Sequence, residues 1–503
     1  MFFLSISPLL LILGLLLFLK VKLVSASIIT LIYTIVISFF IWRVELSVLQ
    51  ASALKGVFVG IDVALIIGGA LLYIYFYKNS KRMEKLEHFM QKLSDDKRVQ
   101  VIILGFFLVS FLEGTAGFGV PAAVVAPLLV ALGITPVAAV AIALIGDSVA
   151  VTFGAVGTPF SVGFATVDIA GVAVQTALLN ASILVIIPLS ILAVYEFTKK
   201  KRSFSHFVKS IPLAIIATIS FAIPYIFFSF VGYDFPTLLG AVFGVILFVL
   251  LLKFKIGVPS YDTSESQKKT SFAFSYKDLF AVITPYILFV SLFVLIRYLS
   301  RKFDFVLKIS LTDSISHTFT LFNPGVIFLF VVFIFLFEPR TWRFTKGVSD
   351  VSKKLFYPFI VILTITAFVQ IMVFSGNNLS GIDGMLTITA SVLENNQLLF
   401  ISGFVGSLGT FIAGSATVSN LLFGELQQSA AILSGFPISL ILTLQVTGAA
   451  VGNMISLTNI VAAQSTVHLE NKEKDILKLT ILPCIIYMIF AGIAATIGYL
   501  LYF

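Results

Sequence analysis

The sequence predicts an all-α polytopic membrane protein, and three observations carry that prediction. The chain is apolar throughout: of 503 residues, 59% are hydrophobic and 11% are charged. A water-soluble domain uses about 25% charged residues to cover its surface. The apolar residues also fall in runs of about 20, the length that crosses a hydrocarbon core. Finally, two of these runs are broken by Gly, Pro, Ser and Thr, and the two breaks resemble one another. Counting the broken runs as half-spans gives about 12–16 apolar segments in a single transmembrane domain, residues 1–503.

The elements follow in order. Residues 3–19, 23–42, 57–77, 172–195, 210–230, 236–252, 279–298, 324–337, 357–375 and 480–502 are each apolar enough to span. The apolar start is followed, not preceded, by Lys20 and Lys22, so it reads as a retained first helix; a signal peptide is the alternative. Regions 100–160 and 397–466 are the broken ones. Basic residues cluster between spans, at Lys81, Arg82 and Lys85, at 199–202, and at Lys268 and Lys269. Placing 78–98, 199–209, 253–278, 340–354 and 472–478 in the cytoplasm follows the positive-inside rule. The protein is then a multi-pass plasma-membrane protein with its N-terminus outside. Arg297, Arg301, Lys302 and Lys308 fall on the opposite side and depart from the rule. The polar stretch 79–99 reads as a short cytoplasmic helix. Residues 256–278, rich in Ser, Thr and Lys, read as a loop between two halves.

The basic clusters suit topology and anionic membrane lipid better than nucleic acid, which needs a basic folded face with base-reading side chains. Cys484 is the single cysteine, so neither an internal disulfide nor a cysteine metal site is available. His88, His206, His317 and His468 lie in or near predicted loops. There is no HExxH pair and no GxxxxGK[ST] loop. No cofactor or metal is expected, and a membrane-embedded enzyme or an ATP-driven pump lacks its chemistry.

The broken regions form an internal repeat. Around Glu113 the chain reads FLEGTAGFGVPAAVVAPLL, then GDSVAVTFGAVGTP; around Gly414 it reads SLGTFIAGSATVSNLLFGEL, then LQVTGAAVGNMISLTN. Ala116-Gly117 aligns with Ala413-Gly414, and Ala155-Val156-Gly157 with Ala450-Val451-Gly452. The cores are 100–196 and 397–466. The first begins after a cytoplasmic loop and the second after the polar stretch 376–396, which the count puts outside. They enter from opposite faces, as inverted repeats of secondary transporters do. Unwound backbone survives in a membrane only where protein buries it or a cavity is lined by it. Glycines that merely allow close helix packing explain one such pair; four clusters in two matched copies point to a substrate or ion site.

Free N–H groups at a half-helix N-terminus attract an anion such as a carboxylate. Gly117, Phe118, Gly119, Gly157, Thr158, Gly414, Ser415 and Thr417 are therefore candidates to bind one, with Asn420, Asn453, Ser456 and Asn459 as hydrogen-bonding partners for a hydroxy acid. Glu113 and Asp147 are acids in apolar surroundings. Such groups are tolerated in a membrane when neutral, paired or facing water, and they mark proton and ion pathways. Asp147 is deeper by sequence and is the preferred proton carrier; Glu113, near the end of its span, is the second.

The run FLEGTAGFGVPAAVVAPLLVALGITPVAAVAIALIGDSVAVTFGAVGTP resembles the L-lactate permease family. So do GTFIAGSATVSNLLFGELQ and TGAAVGNMISLTNIVAAQ in the second copy. The resemblance implies a secondary transporter taking up lactate, and often glycolate, with protons, on a fold of inverted repeats with re-entrant hairpins. Where the family's usual motif reads GSDTSSN, this chain has Ala416 in the Asp position. Where it reads GKMISPQ, the chain has Asn453 in the Lys position. Asp147 stands where the family often has Asn. An acid and a base are missing together, as a pair would be, and an acid stands in the first copy instead. A sodium- or proton-coupled carrier of another organic anion is the nearest alternative, with a membrane enzyme or a channel behind it.

Overall fold

The computed structural model describes residues 1–19, 21–79, 96–115, 117, 120–165, 167, 169–199, 204–257, 306–320, 324–335, 344–391 and 397–502, with five isolated positions between 284 and 295. The expected span 279–298, most of the 79–99 helix and the 256–278 loop, and Arg297, Arg301, Lys302, Phe118 and Gly119 lie outside the described residues.

Three helices come first: α1 (Phe2–Leu17), α2 (Leu23–Phe40) and α3 (Leu46–Asn79). The first broken region follows as α4 (Lys97–Thr115, wound as a π-helix over Ile103–Leu108), α5 (Val120–Ala131), α6 (Pro136–Ala150) and α7 (Gly154–Ser161). Then come α8 (Val172–Ile183), α9 (Ile186–Phe197), α10 (Phe204–Ser229) and α11 (Pro236–Lys253). A hairpin of β1 (Val306–Ser310) and β2 (Ser316–Thr320) opens the second half. It is followed by α12 (Pro324–Phe335), α13 (Phe344–Phe374) and α14 (Met385–Ser391). The second broken region is α15 (Leu398–Ala413), α16 (Ala416–Ser434), α17 (Ile438–Gly452) and α18 (Leu457–Thr466), and α19 (Glu473–Tyr502) closes the chain.

Among the described residues, eight helices are long and apolar enough to cross a membrane, and α8 with α9 makes a ninth span bent by 41°. This is an all-α multi-pass membrane protein. Two sequence expectations are revised, and one stretch for which the sequence predicts no element forms strands. Residues 172–195 are two helices rather than one. The 340–354 loop is already helical from Phe344. The stretch 306–320 pairs as an antiparallel hairpin, Val306 opposite Thr320, and places Lys308 on an exposed strand. His317, on that hairpin, sits 2.9 Å from Asp62 of α3.

Burial separates two kinds of helix. The apolar windows of α4 and of α6 with α7 are 94% buried, against 33% for α2 and 44% for α19. A helix apolar all round and buried all round is the centre of the structure; the outer ones turn residues such as Phe227, Ile497 and Leu482 outward. Helices α1–α3 and α12–α14 pack together at one side and meet the rest through α3 on α7 and through α13 and α14 on α16.

The two broken regions share one plan: a helix, a sharp turn, a returning helix, then a helix broken by a single 3-10 turn. Those turns are Val151–Phe153 and Asn453–Ile455. Packing between the copies is reciprocal. Helix α18, beyond the second break, lies on α5 and α6, which precede the first break; α7, beyond the first break, lies on α16, which precedes the second. Each 3-10 turn also packs on the helix before the other break, the first on α17 and the second on α6, so the two broken helices cross at their breaks, as inverted repeats do. The 3-10 turns also correct the sequence alignment. Ala155-Val156-Gly157 follows its break, whereas Ala450-Val451-Gly452 precedes its own, so these triplets occupy different places. Gly146 and Gly448 are equivalent instead. Each lies where its helix touches the first helix of its own copy, Gly146 against the Gly105 carbonyl and Gly448 against that of Gly403.

Candidate functional site

The turn between α15 and α16 is made by Gly414 in the left-handed region (φ 73°), where its first-copy counterpart Gly117 also lies (φ 55°). A side chain is strained at such angles. Ser415 then caps α16, its hydroxyl accepting from Val418 N at 3.4 Å. This aims the N-terminal N–H groups of a 19-residue helix into the protein at the level of the breaks. In the first copy the backbone beyond the break turns left-handed at Ala155 (φ 43°), Val156 (φ 54°) and Gly157 (φ 75°). A β-branched residue there is an outlier, of the kind that gathers at functional sites.

Breaking a helix frees backbone groups, and neighbouring side chains take several of them up. Thr237 Oγ1 donates to Ala150 O at 2.8 Å. Asn420 Nδ2 donates to Pro159 O at 2.9 Å. Asn459 Nδ2 donates to Gly414 O at 3.4 Å. Unwound backbone is thereby satisfied without water, as membrane depth demands.

Between the breaks lies a cavity with about 30 Å³ open to the centres of water-sized molecules, room for roughly two of them. It is lined from the first copy by Glu113, Gly117, Val151, Ala155, Thr158 and Pro159, and from the second by the stretch from Gly414 to Thr417 and by Asn453. Among the described residues, no Lys, Arg or His is in that lining. Glu113 ends α4 and is 4% exposed; Asp147, on α6, is fully buried. Their carboxyl groups lie within side-chain hydrogen-bonding reach of one another. Asp147 Oδ2 accepts from Asn453 Nδ2 at 2.9 Å, and Asn453 Oδ1 accepts in turn from Asn459 Nδ2. One line of contacts therefore runs from the Gly414 carbonyl through two amides to the acid pair, crossing from one copy to the other. Among the described residues, Glu113 Oε2 and Asp147 Oδ1 have no hydrogen-bond partner.

Of the residues singled out in sequence, the cavity gathers Glu113, Gly117, Thr158, Gly414, Ser415, Thr417 and Asn453, with Asp147 and Asn459 one hydrogen bond behind it. Gly157, Asn420 and Ser456 stand outside the lining. Gly157 packs on Tyr233, Asn420 is held by Pro159 and by Gln445, and Ser456 Oγ lies 2.8 Å from Thr458 Oγ1. The sequence reading missed a buried cluster behind the first break. There Asn180 donates to Thr152 and Tyr225 and accepts from Thr447 and Tyr487. An amide inside a predicted span was the one signal available for it.

Gly154, at the first break, is close enough to Glu113 that a methyl group there would overlap Oε1. Its φ of −66° suits any residue, and Glu113 is flexible enough to move. Gly154→Ala is therefore expected to fold normally while displacing the acid and cutting solute flux about tenfold or more. Uptake into vesicles, set against the thermal midpoint of the same preparation, checks both halves.

Broken helices that cross beside a half-helix N-terminus are the architecture of membrane transporters of the inverted-repeat class. The sequence pattern of the L-lactate permease family matches residues 1–502, and the chain belongs to that family. A Haemophilus influenzae protein assigned as an L-lactate permease is 29% identical over 469 residues, covering 86% of this chain and 85% of its own. The L-lactate permease of Bacillus subtilis (strain 168) is 26% identical, with 92% and 89% covered. A glycolate permease of Escherichia coli (strain K12) is 26% identical, with 93% and 90% covered.

Proposed function

We propose that this protein takes up L-lactate or a similar short 2-hydroxycarboxylate together with a proton, across the plasma membrane and with its N-terminus outside. The observation that supports this reading is the placement of a half-helix N-terminus opposite a carboxyl pair in one cavity. The α16 N–H groups at Ala416 and Thr417 hold the substrate carboxylate. Ser415, Thr417 and Thr158 offer hydroxyls to the substrate hydroxyl. Asp147, backed by Glu113, takes the proton: two like charges side by side oppose each other, and one proton on the pair relieves that. Relatives named for L-lactate and for glycolate share this substrate chemistry. The cavity is smaller than such a substrate, so binding requires the lining to part.

Labelled L-lactate uptake into sealed proteoliposomes tests the reading. Accumulation above equilibrium under an imposed inward proton gradient, and not without it, is the expected result. Accumulation that follows an inward sodium gradient instead overturns the coupling ion. No uptake by folded protein overturns the substrate.

The contact between Asp147 and Asn453 also bears on the departures from the family motif. Asn453→Lys sets an ammonium beside Asp147, which can pair with it. Ala416→Asp adds a third carboxyl to a lining without a cation. Alone, Ala416→Asp is expected to lower uptake severely; adding Asn453→Lys restores part of it. A double-mutant cycle measures this, with a coupling of about 1 kcal/mol or more expected for groups in contact. Strict additivity refutes the pairing.

A further inference from the structure

A second cavity lies away from the breaks, on the outer surface between α9, the start of α10 and α19. It is an open groove of about 850 Å³. Its floor is apolar, with Leu189, Ala193, Phe197, Leu482, Ile486 and Phe490 among the lining, and the site proposed above makes no use of it. Its two ends differ. Lys478 lines one end, where Phe197 and Thr198 finish α9, and Lys199 follows at once. Phe490 and Ile186 line the other end, which carries no charge.

The length is informative. From Lys478 to Phe490 the groove follows twelve residues of α19, roughly 18 Å at 1.5 Å per residue. Half of a hydrocarbon core about 30 Å thick is about 15 Å. A groove that begins at basic side chains and runs apolar for that distance matches one leaflet, from headgroup to midplane.

Charge selects the occupant. Lys199 is joined in sequence by Lys200, Lys201 and Arg202. Lys478 has a side chain 66% exposed and only a 3.7 Å contact to Asp475, which Lys472 shares at 3.4 Å. Glu196 pairs with Lys199 at 2.9 Å. In sequence, residues 196–202 and 472–478 together carry seven basic and three acidic side chains. We infer that the groove between α9 and α19 is a binding site for an anionic phospholipid, its acyl chain on the apolar floor and its phosphate at Lys478 and Lys199. Basic pockets between helices at a membrane surface recognise such headgroups.

Native mass spectrometry of the full-length protein in mild detergent tests this, with phosphatidylglycerol or phosphatidylcholine added at equal concentration. The expected result is several-fold greater retention of phosphatidylglycerol. That preference should be lost in Lys478→Gln combined with Lys199→Gln, and retention of both lipids should fall in Ala193→Trp, which fills the floor. Each variant is first shown to elute as the wild type does and to keep its thermal midpoint. Equal retention of the two lipids by the wild type overturns the inference, as does undiminished phosphatidylglycerol on Ala193→Trp. A lipid-free dimer that Ala193→Trp dissociates assigns the groove to a second copy and likewise overturns it.

Discussion

Replacement of Asp147 by Asn is expected to abolish proton-driven accumulation while leaving exchange of labelled for unlabelled substrate near the wild-type rate. The substitution is close to isosteric. The new amide oxygen can still accept from Asn453, so the line of contacts to Asn459 and Gly414 survives; what disappears is the group proposed to take up the proton. An inward gradient of one pH unit is worth about 1.4 kcal/mol per proton and supports about tenfold accumulation. The mutant should lose all of this and settle at equal concentrations on the two sides. Glu113→Gln is the companion measurement. If it uncouples and Asp147→Asn does not, the carrier is Glu113. If Asp147→Asn accumulates as the wild type does, Asp147 is a structural residue.

The second large effect is on folding. Gly146→Ala and Gly448→Ala each place a methyl group into a backbone carbonyl, of Gly105 and of Gly403. Unlike Glu113 beside Gly154, a helix backbone cannot swing aside. Overpacking of this kind typically costs 1–3 kcal/mol, and in a membrane the close approach of small residues is itself a main source of helix association. Both variants are expected to lower the thermal midpoint in detergent by roughly 2–8 °C. Gly498→Ala meets nothing within 4 Å and serves as the control, with an unchanged or slightly higher midpoint. Equal midpoints for all three would remove the claim that these two glycines hold the helices of each copy together.

The acids, the glycine turns and the broken character of the two regions were legible in the sequence because each breaks a strong local rule: charge in an apolar run, or Gly and Pro in a helix. Features that obey local rules were not legible. The bend between α8 and α9 is an exception with a local signal, because Pro188 in the first turn of α9 has no N–H to continue the helical ladder to Leu184. The repeat register was misread because Ala-Val-Gly is a common triplet in such a chain, and only the position of the 3-10 turns distinguishes its two occurrences. Asn420 donates to the freed Pro159 carbonyl, and sequence does not distinguish an amide that braces backbone from one that meets a ligand. The hairpin at 306–320 depends on pairing between strands, which single-residue polarity does not report.

Cys484 is fully buried, with its sulfur 3.8 Å from the Val451 carbonyl and 3.8 Å from Ser407 Oγ, directly before the second break. It is also the chain's single cysteine. The unmodified protein therefore carries one chemical clock at this junction: the rate at which a thiol reagent reaches Cys484 measures how often α15, α17 and α19 separate there. Substrate that parts the lining, as the proposed binding requires, should speed that labelling, with no engineered background and no competing thiol.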